Sequence, residues 1–355
     1  MIEEQRFDEI HSKPCPNCYI CGTQGETLYQ GLKDRLFGAP GNWNFKKCPN
    51  PKCGLVWLDP MPVEEEINIM YQTYHTHQSS PCPDSEYLSP FGRLRQTLKK
   101  FDQWLGFAYL HRIYGYPCTH RWLWPFSLLF PTRRKYDTVK VMYLPYREAG
   151  KLLDVGSGSG QFLARMRNLG WTVEGVEPDP NAAHASREIF NVPVREGTIY
   201  DQNYPSMYFD AVTLNNVIEH VHKPIDLLRE CYRVLKPGGR LVITTPNAES
   251  LCARLFGQYW RGLEPPRHLY IFSMASIVSA ARSGGFERIS VRSIVRDGYI
   301  LGASYAVVKN IPFQNGNPKL GIVKAYIVKL GSLLQSFIAL VKHNVGEELV
   351  LICGR

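Results

Sequence analysis

The sequence predicts an α/β fold in which helices cover both faces of a mostly parallel sheet. Two short, mainly apolar runs, at 151–155 and 208–215, have the length and composition of buried parallel strands. Each is followed by a segment that predicts a helix, beginning near Gln161 and near Pro224. Strands that alternate with helices are typical of βαβ units, so we expect this pattern through residues 148–355.

A glycine-rich turn follows the first predicted strand and indicates a ligand site. Gly156, Gly158 and Gly160 leave out Cβ atoms where a ligand must approach the main chain closely. Glu177 ends the next apolar strand, 17 residues after Gly160, where its carboxylate would accept both hydroxyls of an adenosine ribose.

The spacing of these glycines separates two classes of ligand. A dinucleotide-binding turn reads Gly-x-Gly-x-x-Gly, whereas this turn reads Gly-x-Gly-x-Gly and Asp154 precedes it on the strand. That carboxylate would repel a pyrophosphate but suits a ligand with an ammonium group and a sulfonium. The turn therefore resembles the S-adenosylmethionine-binding motif of the class I (Rossmann-like) methyltransferases. A glycine turn that binds no ligand is the alternative.

Motifs further along the chain extend this resemblance. Phe-Asp, Glu-His-Val, Lys-Pro-Gly-Gly and Thr-Pro-Asn, at 209–210, 219–221, 236–239 and 245–247, look like bacterial methyltransferases that modify quinone precursors, sugars and other small molecules. The resemblance implies a Rossmann-like seven-stranded sheet, S-adenosylmethionine as cofactor, and a cofactor site formed by Asp154, Gly156, Gly158, Gly160, Glu177 and Asn215. From the residues alone, Lys-Pro-Gly-Gly predicts the turn that ends a helix over 224–235.

Five of the ten cysteines lie in the first 53 residues, and four of them have the spacing of metal ligands. Two residues separate Cys18 from Cys21, four separate Cys48 from Cys53, and a glycine follows each pair. Paired knuckles of this kind predict a structural zinc ribbon with four thiolate ligands. Cys15 competes with Cys18 by spacing, and a disulfide is the rival interpretation. A similar ribbon occurs in methyltransferases of deoxysugar and cell-surface glycan pathways, although their second knuckle is shorter.

The length allows one large core with smaller appendages. We expect a zinc ribbon and lid helix over 1–80, a basic, aromatic-rich helical cap over 81–147, and a methyltransferase core over 148–355 with a helical insertion at about 298–344. The lid helix is predicted to begin near Pro60 and to lead to an aromatic and histidine cluster at 71–77. The acidic N-terminus lacks an apolar stretch, and no uncharged apolar run reaches ~18 residues. We therefore expect a cytoplasmic protein, with peripheral contact at the inner face of the membrane left open.

The segment 91–150 carries most of the net positive charge. It holds 11 Lys and Arg against 3 Asp and Glu, which is +8 of the chain's +9, and 14 of the 43 aromatic residues. This mixture suits nucleic acid, a membrane surface or a phosphorylated substrate. Nucleic acid is the weakest of these, because no RNA-binding module is recognisable, and an anionic or lipid-linked substrate fits better. The alternative is a helical cap with its aromatics in the core.

The C-terminal part predicts two final strands with a helix between them. The strands are expected at 286–295 and 347–353. Apolar residues at 320, 323, 327, 330, 334, 337 and 341 form one helical stripe, with Lys324, Gly331, Gln335 and Lys342 on the opposite face. Such a stripe most often packs on its own domain; pairing with the cap, dimerisation and membrane contact are the alternatives.

Two histidines are candidates for acid–base catalysis. In this fold ligands bind beyond the carboxyl ends of the strands, so the loop after Asn215, which carries His220, would face the site. An imidazole with a reference pKa of about 6.5 suits a base near neutrality. His268 lies where related proteins carry a substrate-covering loop, and is a second candidate. His220 could instead cap the following helix. Thr198 stands where many relatives have an acid that contacts adenine.

The resemblance covers nearly the whole chain and implies a methyltransferase that acts on a hydroxyl or carbon of a sugar, a glycan-linked acceptor or another small molecule. Two alternatives stay open. One is an RNA methyltransferase that uses the ribbon and basic cap as a clamp, and the other is a catalytically silent S-adenosylmethionine-binding partner subunit. The acceptor and the oligomeric state do not follow from the sequence.

Overall fold

The computed structural model describes residues 10–67, 70, 90–128, 136–295, 298–314 and 317–355. The chain divides into two compact units. The first comprises Met1–Thr76, Leu214–Arg233 and Ile243–Arg355, and the second comprises His77–Thr213 and Val234–Val242. The three-part division expected from the sequence stays a prediction, and the predicted cluster at 71–77 lies outside the described residues.

Strands and helices are numbered in chain order. The strands are β1 (Ser12–Lys13), β2 (Glu26–Leu32), β3 (Trp43–Lys47), β4 (Val56–Leu58), β5 (Met61–Pro62), β6 (Lys151–Val155), β7 (Thr172–Glu177), β8 (Val194–Glu196), β9 (Phe209–Asn215), β10 (Leu235–Pro246), β11 (Tyr270–Ile271), β12 (Arg288–Ile294), β13 (Phe313–Gln314), β14 (Asn317–Pro318) and β15 (Glu348–Gly354). The helices are α1 (Pro90–Tyr114), α2 (Trp124–Ser127), α3 (Gln161–Asn168), α4 (Pro180–Phe190), α5 (Pro224–Val234), α6 (Leu251–Phe256), α7 (Met274–Ser283), α8 (Tyr299–Val308) and α9 (Ile322–Val341).

The largest sheet within the described residues has seven strands and confirms the predicted fold class. Its order is β12-β15-β10-β9-β6-β7-β8. β6, β7 and β8 are parallel, while β12 and β15 are antiparallel, so the sheet is mixed. The central strands are apolar on both sides, as buried parallel strands require, and α3 and α4 pack against β7 and β8. This is a Rossmann-like arrangement, and the two final strands predicted at 286–295 and 347–353 are both present.

Two local predictions differ from the structure. Lys-Pro-Gly-Gly does not form a separate turn, because β10 begins at Leu235 and runs through it, with Gly238 at φ +75°. The helix α5 nevertheless ends at Val234, close to the predicted residue. Near Pro60, Met61–Pro62 forms β5 and Glu64–Glu66 a 3₁₀ turn, so the start of the predicted lid helix is irregular.

A small antiparallel sheet forms the N-terminal ribbon. Its order is β11-β4-β3-β2, and the second pair of cysteines sits in the connection between β3 and β4. Its apolar side chains are among the most buried of the chain, including Phe45, Leu55 and Trp57. The sheet therefore has its own core, which holds both cysteine knuckles in place.

The basic cap is only partly an apolar core. Tyr109, Tyr116 and Tyr136 are buried, and Tyr136 lies against Gly106 of α1. Other aromatic side chains of this segment are exposed: Phe101, Trp104, Phe107, Trp122, Trp124 and Phe126. The aromatics therefore divide between a core and the surface.

The expectation that the stripe on α9 packs on its own domain is wrong. The stripe residues Ile327, Leu330, Leu334 and Phe337 are exposed, whereas Gln335, on the opposite face of the helix, is buried. Within the described residues, the apolar stripe of α9 therefore faces away from the protein, and the side of the helix that carries Gln335 packs against it. Within the described residues, none of the helices has both the length and the apolar composition needed to cross a bilayer.

Candidate functional site

The glycine turn between β6 and α3 has a backbone that only glycine adopts readily. Gly156, Gly158 and Gly160 have φ values of +70°, +53° and +74°. A Cβ at Gly160 would also lie 2.8 Å from Ser186 and Val192 side-chain atoms. The backbone conformation explains glycine at all three positions, and the close packing adds a second reason at Gly160. The amides of Gly156 and Gly160 donate to the carbonyl oxygens of Val176 and Ser157, which hold the turn in shape.

Glu177, at the end of β7, fixes the shape of this turn. Its carboxylate accepts hydrogen bonds from the amide of Gly158 at 2.7 Å and from the amide of Asp179 at 3.1 Å. The side chain is 6% exposed. The predicted ribose-binding carboxylate is therefore held beside the glycine turn that the sequence assigned to the same cofactor.

Asp154, on β6, is buried and strongly perturbed. Thr213 on β9 donates a hydrogen bond of 2.6 Å to its Oδ1. Burial raises the pKa of Asp154 to about 7; the Thr213 bond opposes this shift and Glu177 adds to it. A buried carboxyl that titrates near neutrality is typical of a binding site, since a cationic group would stabilise its charged form.

Two other predicted cofactor positions have ordinary polar partners. The Oδ1 of Asn215 accepts a hydrogen bond of 2.6 Å from Thr244, and Asn215 is exposed at the end of β9. Thr198, where an acid was expected, donates from its amide and its hydroxyl to Asp201, each at 2.7 Å. The chain thus supplies a carboxylate three residues beyond the expected position.

His220 and His268 lie together, as their assignment to one site requires. Their ring centroids are 4.8 Å apart. The Nδ1 of His220 is 3.0 Å from the Arg267 carbonyl oxygen, and the Nδ1 of His268 is 2.7 Å from that of Gly262. Because a carbonyl oxygen only accepts, both rings carry their proton on Nδ1 and their lone pair on Nε2.

Burial shifts the pKa of both histidines away from neutrality. It lowers the pKa of His220 to about 3, with a further contribution from His268, and it lowers that of His268 as well. His220 is neutral at pH 7, as the sequence interpretation requires of a base. Its pKa, however, lies well below the near-neutral value that the sequence interpretation expected. The difference arises because the loop packs inside its unit, where the charged imidazolium loses its hydration.

Glu219, adjacent to His220, is the most unusual carboxyl of this cluster. It is fully buried; its Oε2 accepts from Thr245 at 3.0 Å, and its Oε1 has no hydrogen-bond partner among the described residues. Burial raises its pKa to about 8. The ligand atoms of Glu219, His220 and His268 lie within 4.8 Å of one another, an arrangement that suits proton transfer or a divalent cation.

A buried ion-pair network holds the loop that carries His268. Arg267 is fully buried and pairs with Asp34 at 2.8 Å and with Glu264 at 3.0 Å. Arg261 also pairs with Glu264. These charges keep the pKa of the Glu264 carboxyl well below its usual range despite its burial. The network ties the loop to the segment after β2 and so positions the histidine pair.

The four predicted metal ligands form one cluster. The sulfur atoms of Cys18 and Cys53 are 3.6 Å apart, those of Cys21 and Cys48 are 3.4 Å apart, and all four lie within 4.8 Å. A tetrahedral zinc with Zn–S bonds of ~2.3 Å requires sulfur separations of about 3.8 Å, so the cluster has the right size. Cys15 is not part of it, and its amide bonds Asp59 instead. The set therefore fits a closed, structural zinc site.

Sequence reasoning missed three contributors to these sites. Glu219 stood inside the quoted Glu-His-Val motif without a role. Thr213 is a polar residue inside an apolar strand, a pattern that could have identified it as the partner of Asp154. The pairing of Arg267 with Asp34 joins residues 233 positions apart, and no local pattern indicates it.

Comparison with known proteins identifies the part of the chain that surrounds the glycine turn. Residues 132–291 match a family model described as a methyltransferase domain. An uncharacterised methyltransferase of Mycobacterium leprae is 43% identical over 98 residues, which cover 26% of this chain and 36% of that protein. A ubiquinone biosynthesis O-methyltransferase of Pseudomonas savastanoi is 34% identical over 138 residues, covering 36% and 59%. The chain thus spans less than two thirds of the length of these relatives.

Among solved structures, phosphoethanolamine N-methyltransferase 2 of Haemonchus contortus, in complex with S-adenosyl-L-methionine, is similar with a TM-score of 0.44 and 16% identity. The match covers 89% of this chain and 70% of that one. The family match, the seven-stranded mixed sheet and the glycine turn flanked by Asp154 and Glu177 agree with one another. Residues 132–291 are a methyltransferase domain of the class I, S-adenosylmethionine-dependent type.

Proposed function

We propose that the protein transfers the methyl group of S-adenosylmethionine to a hydroxyl or carbon of a sugar, a glycan-linked molecule or another small acceptor. The observation that carries this proposal is the glycine turn whose Gly158 amide is bonded to Glu177. This carboxylate would exchange part of its main-chain bonding for the ribose hydroxyls, and Asp154 would face the cationic part of the cofactor.

The acceptor class rests on the chemistry of the flanking segments. The cap supplies exposed arginine, lysine and aromatic side chains, which suit an anionic group attached to a sugar ring or a lipid. The name of the Pseudomonas relative, a ubiquinone biosynthesis O-methyltransferase, favours a small molecule with a hydroxyl group. Both support a small anionic or lipid-linked acceptor over a polymer.

His220 is proposed as the general base. Methyl transfer is an in-line displacement at carbon, so the enzyme must orient the acceptor and remove one proton. The Nδ1 proton of His220 is committed to the Arg267 carbonyl, which directs the basic lone pair to Nε2. Because burial raises the pKa of Glu219 to about 8, this carboxyl would be mainly protonated near neutral pH and would titrate beside the base. His268 would orient the same hydroxyl.

We also propose that Cys18, Cys21, Cys48 and Cys53 hold a structural zinc ion. Four thiolates complete a tetrahedron and leave no position for substrate, so the ion would stabilise the ribbon rather than take part in methyl transfer. Donation from the Cys53 thiol lowers the pKa of Cys18 to about 5, which favours one thiolate even before a metal binds.

Labelled S-adenosylmethionine tests the acceptor and the base together. Nucleotide-sugars, polyprenyl-linked glycans and RNA are incubated separately with the full chain, and incorporation of label is measured. With an active acceptor, His220→Ala should lower turnover by roughly 100-fold while cofactor affinity stays unchanged, as expected when a general base is lost. His268→Ala should lower turnover less.

The matched control is His184→Ala, because His184 is exposed on α4 and should leave turnover unchanged. Transfer to RNA alone would refute the small-acceptor proposal. Cofactor binding without transfer to any acceptor would favour a silent binding subunit. Full activity of the His220 variant would refute its role as the base.

A further inference from the structure

Helix α9 exposes an apolar surface that the rest of its unit does not cover. Six large side chains, Tyr326, Ile327, Leu330, Leu333, Leu334 and Phe337, are each 51–68% exposed. Their spacings of three and four residues place them on one face of the helix. Isolated exposed apolar residues are normal, but a continuous row of this size marks an interaction surface.

The inner face of α9 is made of small and polar residues. Gly331 approaches α8 so closely that a Cβ would lie 2.8 Å from Leu301. Val328 lies against Gly298 and Gly302, and Ser332 lies against Gly298. Gln335 is 1% exposed on the same side. Packing through small residues fixes the helix to its unit and leaves the large apolar residues for another partner.

The charge of this region indicates the partner. Residues 298–346 contain five lysines and no aspartate or glutamate. At about 100° per residue, Lys329 borders one edge of the apolar face. Lys324 and Lys342 lie on the side of Gly331 and Gln335, but at the two ends of the helix, where both are exposed. Within the described residues none of these lysines forms a salt bridge, and each is exposed. Lysines beside an apolar helix face are typical of helices that lie on anionic bilayers.

We propose that α9 docks the protein on an anionic lipid bilayer, with the helix lying along the surface. Its 20 residues span about 30 Å, and the exposed side chains would enter the boundary between headgroups and acyl chains. The flanking lysines would reach the lipid phosphates while their stems cover apolar surface. This inference goes beyond the proposed function, because it holds whichever acceptor is methylated.

A second copy of the chain is a weaker partner for the same face. The apolar spacing of α9 would allow the helices of two copies to pair, but the lysines of both copies would then lie close together beside the paired helices. Residues 298–346 offer no acidic side chain to compensate them. Charge complementarity therefore favours phospholipid over self-association.

The cap, in the other unit, also exposes aromatic side chains beside a basic residue. Trp122 and Phe126 are 66% and 52% exposed, and Arg121 is exposed beside them. Tryptophan and basic residues are enriched at the membrane–water interface. The vesicle binding of Trp122→Ser therefore tests this surface of the cap separately from α9.

Sedimentation with vesicles tests the proposal on the full chain. Vesicles of equimolar phosphatidylcholine and phosphatidylglycerol should bind the wild type, and binding should weaken with salt or in pure phosphatidylcholine. The variant carrying Leu330→Ser, Leu334→Ser and Phe337→Ser should bind at least about tenfold less. The variant carrying Lys324→Glu and Lys329→Glu should also lose binding to the anionic vesicles.

Controls separate docking from folding and from methyl transfer. Ile189→Ser and Met207→Ser change comparably exposed apolar residues in the other unit and should leave vesicle binding unchanged. All variants should keep the wild-type melting temperature and S-adenosylmethionine affinity. Failure of the wild type to bind vesicles overturns the proposal. So does a concentration-dependent dimer, lost in the triple variant, that binds no vesicles.

Discussion

Glu219 and His220 are neighbours in the sequence, yet burial moves their pKa values in opposite directions. It raises the pKa of Glu219 to about 8 and lowers that of His220 to about 3, since each side chain is forced towards its neutral form. The proposed base therefore stands beside a carboxyl that titrates close to neutral pH. Near neutral pH both side chains are therefore mainly uncharged.

Glu219→Gln should change how stability depends on pH. Because the folded-state pKa is raised, the wild type binds more protons folded than unfolded, so this group makes its unfolding free energy fall as pH rises from about 4.5 to about 8. The glutamine variant lacks that loss. Denaturant unfolding should show that the unfolding free energy of the variant rises by about 2–4 kcal/mol relative to that of the wild type as the pH increases across this range.

The control for this prediction is Glu287→Gln, which changes an exposed carboxyl. The difference between that variant and the wild type should stay flat with pH. If the difference in unfolding free energy between Glu219→Gln and the wild type did not change with pH, the Glu219 carboxyl would be solvated in the folded protein, which contradicts the prediction.

At the scale of single residues, the sequence predicts the identity of polar groups better than their environment. Gly158 and Glu177 follow from a local pattern and occur together as expected. The pKa of His220 does not follow from the sequence. It depends on burial by a loop 47 residues away, which also supplies the carbonyl partner of its ring.

At the scale of elements, the cysteine knuckles link sequence spacing directly to structure. Gly22 and Gly54, with φ values of +72° and +63°, end the two knuckles in a backbone that favours glycine. The longer second knuckle is accommodated because Cys48 follows β3 and Cys53 precedes β4, so the extra residues loop out between two paired strands.

Replacing a predicted ligand should release the metal. Freshly purified, reduced protein should contain one zinc ion per chain, and Cys48→Ser should abolish it and destabilise the ribbon, because metal binding contributes directly to folding. Metal analysis with thermal unfolding measures both effects. Cys15→Ser should keep its zinc, since Cys15 lies outside the cluster. Wild-type protein without zinc would refute the site.

The strands and helices of the sheet were predictable because each has a strong local pattern. The orientation of helix α9 could not be predicted in this way. Periodicity identifies which residues share a face, but it does not say whether that face meets the protein or another phase. The small residues Gly298, Gly302 and Gly331 decide the orientation, because they allow close packing on the other side.

At the scale of the whole molecule, the two compact units carry different parts of the proposed chemistry. One contains the glycine turn with Asp154 and Glu177, and the other contains the cysteine cluster, the histidine pair and α9. The proposed activity of the whole molecule therefore depends on the identity of the cofactor, since methyl transfer requires a methyl donor.

Calorimetric titration with S-adenosylmethionine and NAD tests that identity directly. The wild type should bind S-adenosylmethionine, and Glu177→Ala should weaken binding by about 1–3 kcal/mol, the usual loss of a hydrogen-bonded charge. Glu196→Ala is the matched control, because Glu196 pairs in register with Glu177 on the neighbouring strand but is exposed, and affinity should be unchanged. Equal affinity of the Glu177 variant and wild type, or tight binding of NAD by the wild type, would contradict the account.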